Sequence, residues 1–264
     1  MEREKRLITV GHNSRQPSLL RVLTDAGYTL HPPWETGEAV ILPMPYSQDG
    51  EHVTGDNHTL SELFGSIGEG TPVIGGLFDR SAYLAAAKFG VRLFDCFTPE
   101  AVQIANAALT ARGALRIGAE RLRQAGTRVL VCGFGRIGRC LMDLLTARGA
   151  DATISLRKDT DAAWAEALGY KWVNTATLDP SPYDLIFNTV PSVIFTDERL
   201  GKVKEGTRLI DLASPPYGVD FTAAEARGVK ATLASGLPGK LYPEEAGAIL
   251  GKSALSILRQ VMSG

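Results

Sequence analysis

Histidine is scarce in this chain, and none of its four residues (His12, His31, His52 and His58) falls beyond the first quarter of the sequence. A catalytic histidine is therefore missing from everything after residue 58. Cysteine is scarcer still: Cys96, Cys132 and Cys140 are three, odd in number and widely separated. Their spacing suits neither a zinc site nor a disulfide framework, and they read as reduced, mostly buried thiols. No sign of charge predominates, since 28 Lys and Arg face 29 Asp and Glu for a net charge of −1, so composition gives no footprint of nucleic-acid binding. No apolar run approaches the ~20 residues that span a bilayer. The charged start at residues 1–6 leads straight into a strand-like Leu7-Ile8-Thr9-Val10, with no apolar segment of a signal peptide between. Repeats and low-complexity stretches are absent too. What remains is 264 residues with 44% hydrophobic and 22% charged side chains, a soluble globular composition with room for two domains.

The most informative stretch is Val129-Leu130-Val131-Cys132-Gly133-Phe134-Gly135-Arg136-Ile137-Gly138, an apolar run that ends in G-x-G-x-x-G and opens a helical pattern. A buried parallel strand, a glycine turn and a helix start together form a site for a pyrophosphate. The first glycine permits the tight turn, the second lets backbone approach the phosphates, and the third lets helix and strand pack closely. The helix start adds free N–H donors and a partial positive charge.

Around this motif the chain alternates strands and helices. Residues 7–10, 39–42 and 72–75 read as strands and 16–26, 61–64 and 82–89 as helices, with a polar, turn-rich loop over 46–57. Thr98-Pro99-Glu100 is a helix start, with a capping residue, a proline and an acid. It predicts a helix over 99–111, followed by a second segment over 116–124. From residue 126 the strands are 128–132, 152–156, 171–173, 184–188, 208–212 and 231–233. The helices are 136–148, 161–168, 196–200 and 223–227. A long amphipathic helix over 243–262 follows. The expected fold is α/β: a Rossmann-type doubly wound parallel sheet preceded by a smaller α/β N-terminal domain, linked by a long helix. The expected domains are 1–95, with 243–262 packed on it, then linking helices over 96–125, then a nucleotide-binding domain over 126–242.

The second strand of that domain ends Ser155-Leu156-Arg157-Lys158, with no acid before Asp159. An acid at this place suits the ribose of NAD, whereas Arg suits the 2′-phosphate of NADP. Arg157 offers a planar fork, Lys158 a point charge and Ser155 one hydroxyl. NADP is therefore expected over NAD, unless a longer strand brings Asp159 to the ribose. Three later strand ends carry rigid Pro or Gly beside small polar groups: Asn188-Thr189-Val190-Pro191-Ser192, Ala213-Ser214-Pro215-Pro216, and Ser235-Gly236-Leu237-Pro238-Gly239-Lys240. Such loops pass a backbone along a flat ring with a few fixed hydrogen bonds. The expected cofactor contacts are Gly133, Phe134, Gly135, Arg136, Ile137, Gly138, Ser155, Arg157, Lys158, Thr189, Pro191 and Ser214. Asn188, Thr189 and Ser214 are the catalytic candidates. Arg15 and Lys240 are candidates for a substrate carboxylate, and His52 and His58 lie in the 46–57 loop or beside it. No metal site is expected.

The loops at 188–192, 210–221 and 236–239, together with Ala246-Gly247, the glycine motif with Arg136 and the turn at 11–16, resemble dipicolinate synthase A subunits over nearly the whole chain. Two places depart from that pattern: Asn13 stands where the family has an acid, and Cys96-Phe97-Thr98-Pro99 replaces a Ser-x-Pro-Thr. The resemblance implies an NADP-dependent dehydrogenase, of the CH–CH donor type, in the cytoplasm of the mother cell of a sporulating bacterium. It would oxidise a dihydrodipicolinate, drawn from a branch of the lysine pathway, to dipicolinate. It also implies a small dicarboxylate substrate and, as partner, a flavoprotein-like B subunit, with no nucleic acid and no membrane. A homo-oligomer is left open.

Two other readings stand beside it. A 2-hydroxy acid dehydrogenase would need a His–acid pair in the nucleotide domain, where no His occurs. A non-catalytic NADP(H)-binding member of a heteromer would need no catalytic residue at all.

Overall fold

The computed structural model describes residues 4–33 and 35–262, which form two compact units. The first comprises residues up to Asn106 together with those from Pro238 onward, and the second runs from Ala107 to Leu237.

In the first unit β1 (Lys5–Thr9), β2 (Tyr28–His31), β3 (Ala39–Ile41), β4 (Pro72–Gly75) and β5 (Arg92–Asp95) form one parallel sheet in the order β2-β1-β3-β4-β5. Its inner strands β3 and β4 are apolar in succession because both faces are covered. Alternate residues feed two cores: Leu7 and Ile41 join one with α1 (Gln16–Asp25), while Ile8 and Val40 join the other with α2 (Leu60–Ser66) and α3 (Arg80–Lys88). Helix α2 starts in a Thr59–Glu62 capping box, and the Asp79 carboxylate caps α3 at the Ala82 N–H. Helix α4 (Glu100–Leu122) then carries the chain from the first unit into the second.

The second unit is a six-stranded parallel sheet of β6 (Arg128–Cys132), β7 (Asp151–Leu156), β8 (Lys171–Asn174), β9 (Leu185–Asn188), β10 (Arg208–Asp211) and β11 (Lys230–Leu233). Its order is β11-β10-β9-β6-β7-β8, the doubly wound arrangement, with crossovers through α5 (Arg136–Thr146), α6 (Asp159–Ala167), α7 (Asp197–Leu200) and α8 (Phe221–Ala226). Helices α9 (Leu237–Leu241) and α10 (Pro243–Met262) follow. Most of α10 belongs to the core of the first unit, where Leu250, Ala254 and Leu258 pack with Leu19 and Leu23 of α1. Gly247 and Gly251 let the two helices close, since a Cβ on Gly247 would stand 2.2 Å from the Arg15 carbonyl oxygen.

The α/β class and the parallel sheets agree with the sequence reading, and four elements differ from it. The two segments expected at 99–111 and 116–124 are one helix, because a single Gly113 costs only about 1 kcal/mol in a helix whose Ala111, Ala114 and Leu115 are buried. Strands β2 and β5 lie in stretches to which the sequence reading assigned no element, and each is four residues long with polar members that only pairing to a neighbour reveals. The Gly236–Lys240 stretch, expected as a turn, enters α9, where Pro238 takes a position whose N–H needs no helical partner.

Candidate functional site

In an open α/β sheet ligands sit outside the carboxyl ends of the strands, where the strand order reverses. In the second unit that place lies between β6 and β9. A cavity of about 420 Å³ opens there, walled by the turn after β6, the ends of β7 and β8 and the loop after β9.

The three glycines of the turn have three separate reasons to be glycine. Gly133 has φ +94°, a left-handed backbone, and a Cβ on it would stand 2.7 Å from the Thr189 hydroxyl. Gly138 faces the Gly133 carbonyl so closely that a Cβ would come within 1.9 Å of that oxygen. Gly135 is different: a Cβ there would meet nothing within 4 Å. Its open space lies at the start of α5, whose N-cap has no side-chain hydrogen bond and whose first turn holds no acid. The helix start that a pyrophosphate would take is thus uncapped by any side chain, with room above Gly135.

Opposite the turn, the side chains of Arg157 and Lys158 line the cavity, are exposed, and pair with no group among the described residues. Two exposed cations thus stand at the end of the second strand of this unit. The walls are completed by Phe134, Ser155, Thr189 and Pro191 from the sequence reading, and by Arg139, Asp161, Thr175, Ser192 and Ile194, which that reading missed. Arg139 lies over the Phe134 ring at 4.8 Å and bonds the Phe134 carbonyl through Nε at 3.1 Å. Its place three residues along the helix from Arg136 was the available signal. Thr175 was missed because the third strand was expected to stop two residues short of it.

Several candidates occupy other places than expected. Ser155 is fully buried, and its hydroxyl is 3.1 Å from the Thr175 hydroxyl, so it faces the protein. Asn188 is fully buried too. Its Nδ2 donates to Asp211 Oδ1 at 2.8 Å and to the Val190 carbonyl at 3.1 Å, while its Oδ1 accepts from the Val190 N–H. The buried Asp211 carboxylate also accepts from the N–H groups of Ala213 and Gly218 at 3.0 and 2.8 Å. Asn188 and Asp211 therefore join the loops after β9 and β10. Thr189 donates to the Cys132 carbonyl at 2.8 Å. Ser214 is exposed and outside the cavity wall, and Arg136, Ile137 and the buried Gly138, in the first turn of α5, lie outside that wall too. Burial pushes the Cys132 thiol up to about 12.

Arg15 and Lys240 lie in the first unit, Arg15 buried and Lys240 exposed. His52 Nδ1 is 2.8 Å from Asp49 Oδ2, and His58 bonds Asp56. Backbone N–H groups of Glu51 and His52 hold the Asp49 carboxyl well below its usual range, and Asp49 in turn raises His52. No cluster of metal-ligating side chains occurs among the described residues, and no helix there is long and apolar enough to cross a membrane.

No family model matches the chain. It is 27% identical to the dipicolinate synthase A subunit of Bacillus subtilis (strain 168), over 98% of this chain and 97% of that protein. Its structure superposes on the dipicolinate synthase A subunit from Bacillus halodurans with TM-score 0.88 and 24% identity, covering 96% and 97% of the two chains. A lower likeness, TM-score 0.65 at 16% identity over 97% and 96%, relates it to D-lactate dehydrogenase from Escherichia coli, and the fold is that of two-domain dehydrogenases. The resemblance to dipicolinate synthase A subunits, read from the loops, thus extends over nearly the whole chain.

Proposed function

We propose that this protein is an NADP-dependent dehydrogenase that oxidises a dihydrodipicolinate to dipicolinate during sporulation. The observation that carries the cofactor reading is the unpaired Arg157–Lys158 pair across the cavity from the open space at Gly135. The substrate reading is supported by the likeness to the dipicolinate synthase A subunits.

A bound nicotinamide would supply the hydride acceptor. The ring loses one hydride and one proton, and its aromatisation drives the loss, so no strong base is obligatory. The chain's own groups then have to orient and to bind. The bare N–H groups of the turn hold the pyrophosphate, and Arg157 and Lys158 hold the 2′-phosphate. Thr189 and Pro191, which line the cavity, border the reacting end, and Ser214 is assigned to it from the loop after β10. Asn188, with both of its amide N–H donors taken, acts as a positioning residue by tying those loops to Asp211. Arg15 and Lys240 are assigned to the substrate carboxylates. A flavoprotein-like B subunit is the proposed partner, and the mother-cell cytoplasm the proposed compartment.

One observation favours a second reading, in which the chain binds NADP(H) without turnover: the cavity wall carries neither His nor Cys. Purified protein with NADP and dihydrodipicolinate, followed at the NADPH absorbance band with and without the B subunit, separates the two. NADPH formation supports the dehydrogenase. No reduction under either condition, with NADPH still bound, establishes the second reading.

A further inference from the structure

We infer that the first unit carries a carboxylate-binding site of its own, centred on Arg15 at the point where the order of its sheet reverses. That order is β2-β1-β3-β4-β5, so the reversal lies between β1 and β3. The turn after β1 and the loop after β3 meet there. Asn13 Nδ2 and Arg15 Nη1 both donate to the Met44 carbonyl, at 2.9 and 3.1 Å. The segment around Thr54 closes against the same turn, since the His12 N–H donates to the Thr54 carbonyl and the Thr54 N–H to that of Tyr46.

Arg15 is only 9% exposed, yet it forms no ion pair with any described residue. Burial alone lowers its guanidinium from the usual range, with no neighbouring charge opposing the shift. Its Nε has no hydrogen-bond partner, and Nη2 makes no bond to a described residue. The Nε–Nη2 edge is one on which a guanidinium takes a carboxylate in a two-point fork. Two more donors in this part of the unit are buried without partners, Gln16 Nε2 on the next residue and Thr54 Oγ1 on the segment bonded to the turn.

The surroundings fix this arrangement. Asn13 Oδ1 accepts from the N–H groups of Arg15 and Gln16, and the Ser14 hydroxyl donates to the Gly239 carbonyl at 2.8 Å. Gly239 leaves the edge clear, because a Cβ there would stand 2.8 Å from Nε and 3.0 Å from Nη2. Buried charges in proteins are paired, and buried donors are bonded. A guanidinium held in place, with its fork edge unbonded and no acid beside it, lacks an anion. A planar carboxylate on a small organic acid matches that edge.

Pyridine-2,6-dicarboxylate is the probe. That choice rests on the function proposed above, whereas the site itself does not. Titration calorimetry on the full chain, without nucleotide, is expected to show binding of the dicarboxylate and none of its neutral diamide. Arg15→Met should weaken binding by at least 10-fold and Arg15→Lys by less, because lysine keeps the charge and loses the fork. The melting temperature of ligand-free Arg15→Met should equal or exceed that of the unaltered protein, since an uncompensated buried charge is removed. If Arg15→Met does not fold, Arg15→Lys and the diamide decide. Binding within twofold of the unaltered protein in the folded variant, or equal binding of diamide and dicarboxylate, overturns the site, as does an absence of dicarboxylate binding. Binding through Arg15 without turnover leaves the site standing and removes the reaction. Turnover with binding indifferent to Arg15 does the reverse.

Discussion

Where the strand order reverses in the second unit, the cations are exposed and the backbone is bare; where it reverses in the first, one cation is buried and the backbone is tied down. Both sheets are parallel and doubly wound in order, so topology alone does not separate them. The difference lies in what each turn after the first strand does with its donors. The turn at Gly133 to Gly138 leaves its N–H groups at the helix start without a side-chain cap. The turn at Gly11 to Arg15 satisfies its own through Asn13 Oδ1 and the Thr54 carbonyl. A bare helix start with exposed cations suits a ligand of several phosphates in water. A tied turn with one fixed guanidinium suits a single planar anion.

The largest expected effect falls on the bare turn. Gly138→Val puts a side chain against the Gly133 carbonyl, and overpacking of this degree should lower stability by about 3 kcal/mol and abolish NADPH binding. A urea melt and a fluorescence titration measure the two. Stability equal to the unaltered protein would show that strand and helix can separate there without harm. Next, Asp211→Ala strips a buried acceptor from Asn188, Ala213 and Gly218 and should cost about 2–3 kcal/mol in the same melt. Arg157→Ala should weaken NADPH binding by about 10- to 100-fold, about 1.4–2.8 kcal/mol, and leave NADH unchanged. Equal losses for both nucleotides would remove the phosphate reading.

Two smaller effects sharpen the view of the first unit. Burial, with Asp79 near it, pushes the Tyr46 phenol from 10.0 to about 12. Folding thus favours the neutral phenol. Its contribution is full below pH 10 and is lost as pH rises towards the folded value, by up to about 2 kcal/mol. Tyr46→Phe should flatten the alkaline fall of stability over that window, and an unchanged slope would show that other groups cause it. Finally, Cys96 and Cys132 are buried with thiols pushed up to about 12, whereas Cys140 is half-buried. Iodoacetamide on the native protein should label Cys140 first, with mass spectrometry as the readout.

The second unit was far more legible in the sequence than the first. All six of its strands were read from the sequence, helped by the apolar runs of β6 and β9 and by the regular alternation with helices around them, and the glycine motif is local. What stayed hidden there is the direction each side chain faces. Ser155 and Asn188 stand at strand ends where ligands bind, yet Ser155 bonds Thr175 just after β8 and Asn188 bonds Asp211 of β10. Arg139 and Asp161 reach the cavity from helices, which strand-end reasoning does not visit. In the first unit β2 and β5 are four residues each, and their half-polar patterns only become strands beside a partner. The burial of Arg15 was illegible for a different reason: it depends on Gly239 and Gly247, more than two hundred residues further along the chain.

That distance has a consequence for the order in which the molecule is made. The first unit takes Leu250, Ala254 and Leu258 of one core from α10, so that core stays incomplete until α10 has left the ribosome. The second unit is continuous and can close earlier, although most of its partner has already been synthesised. Residues 4–106 would thus wait with Leu19 and Leu23 short of their α10 partners, so clipping α10 should unfold the first unit rather than the second.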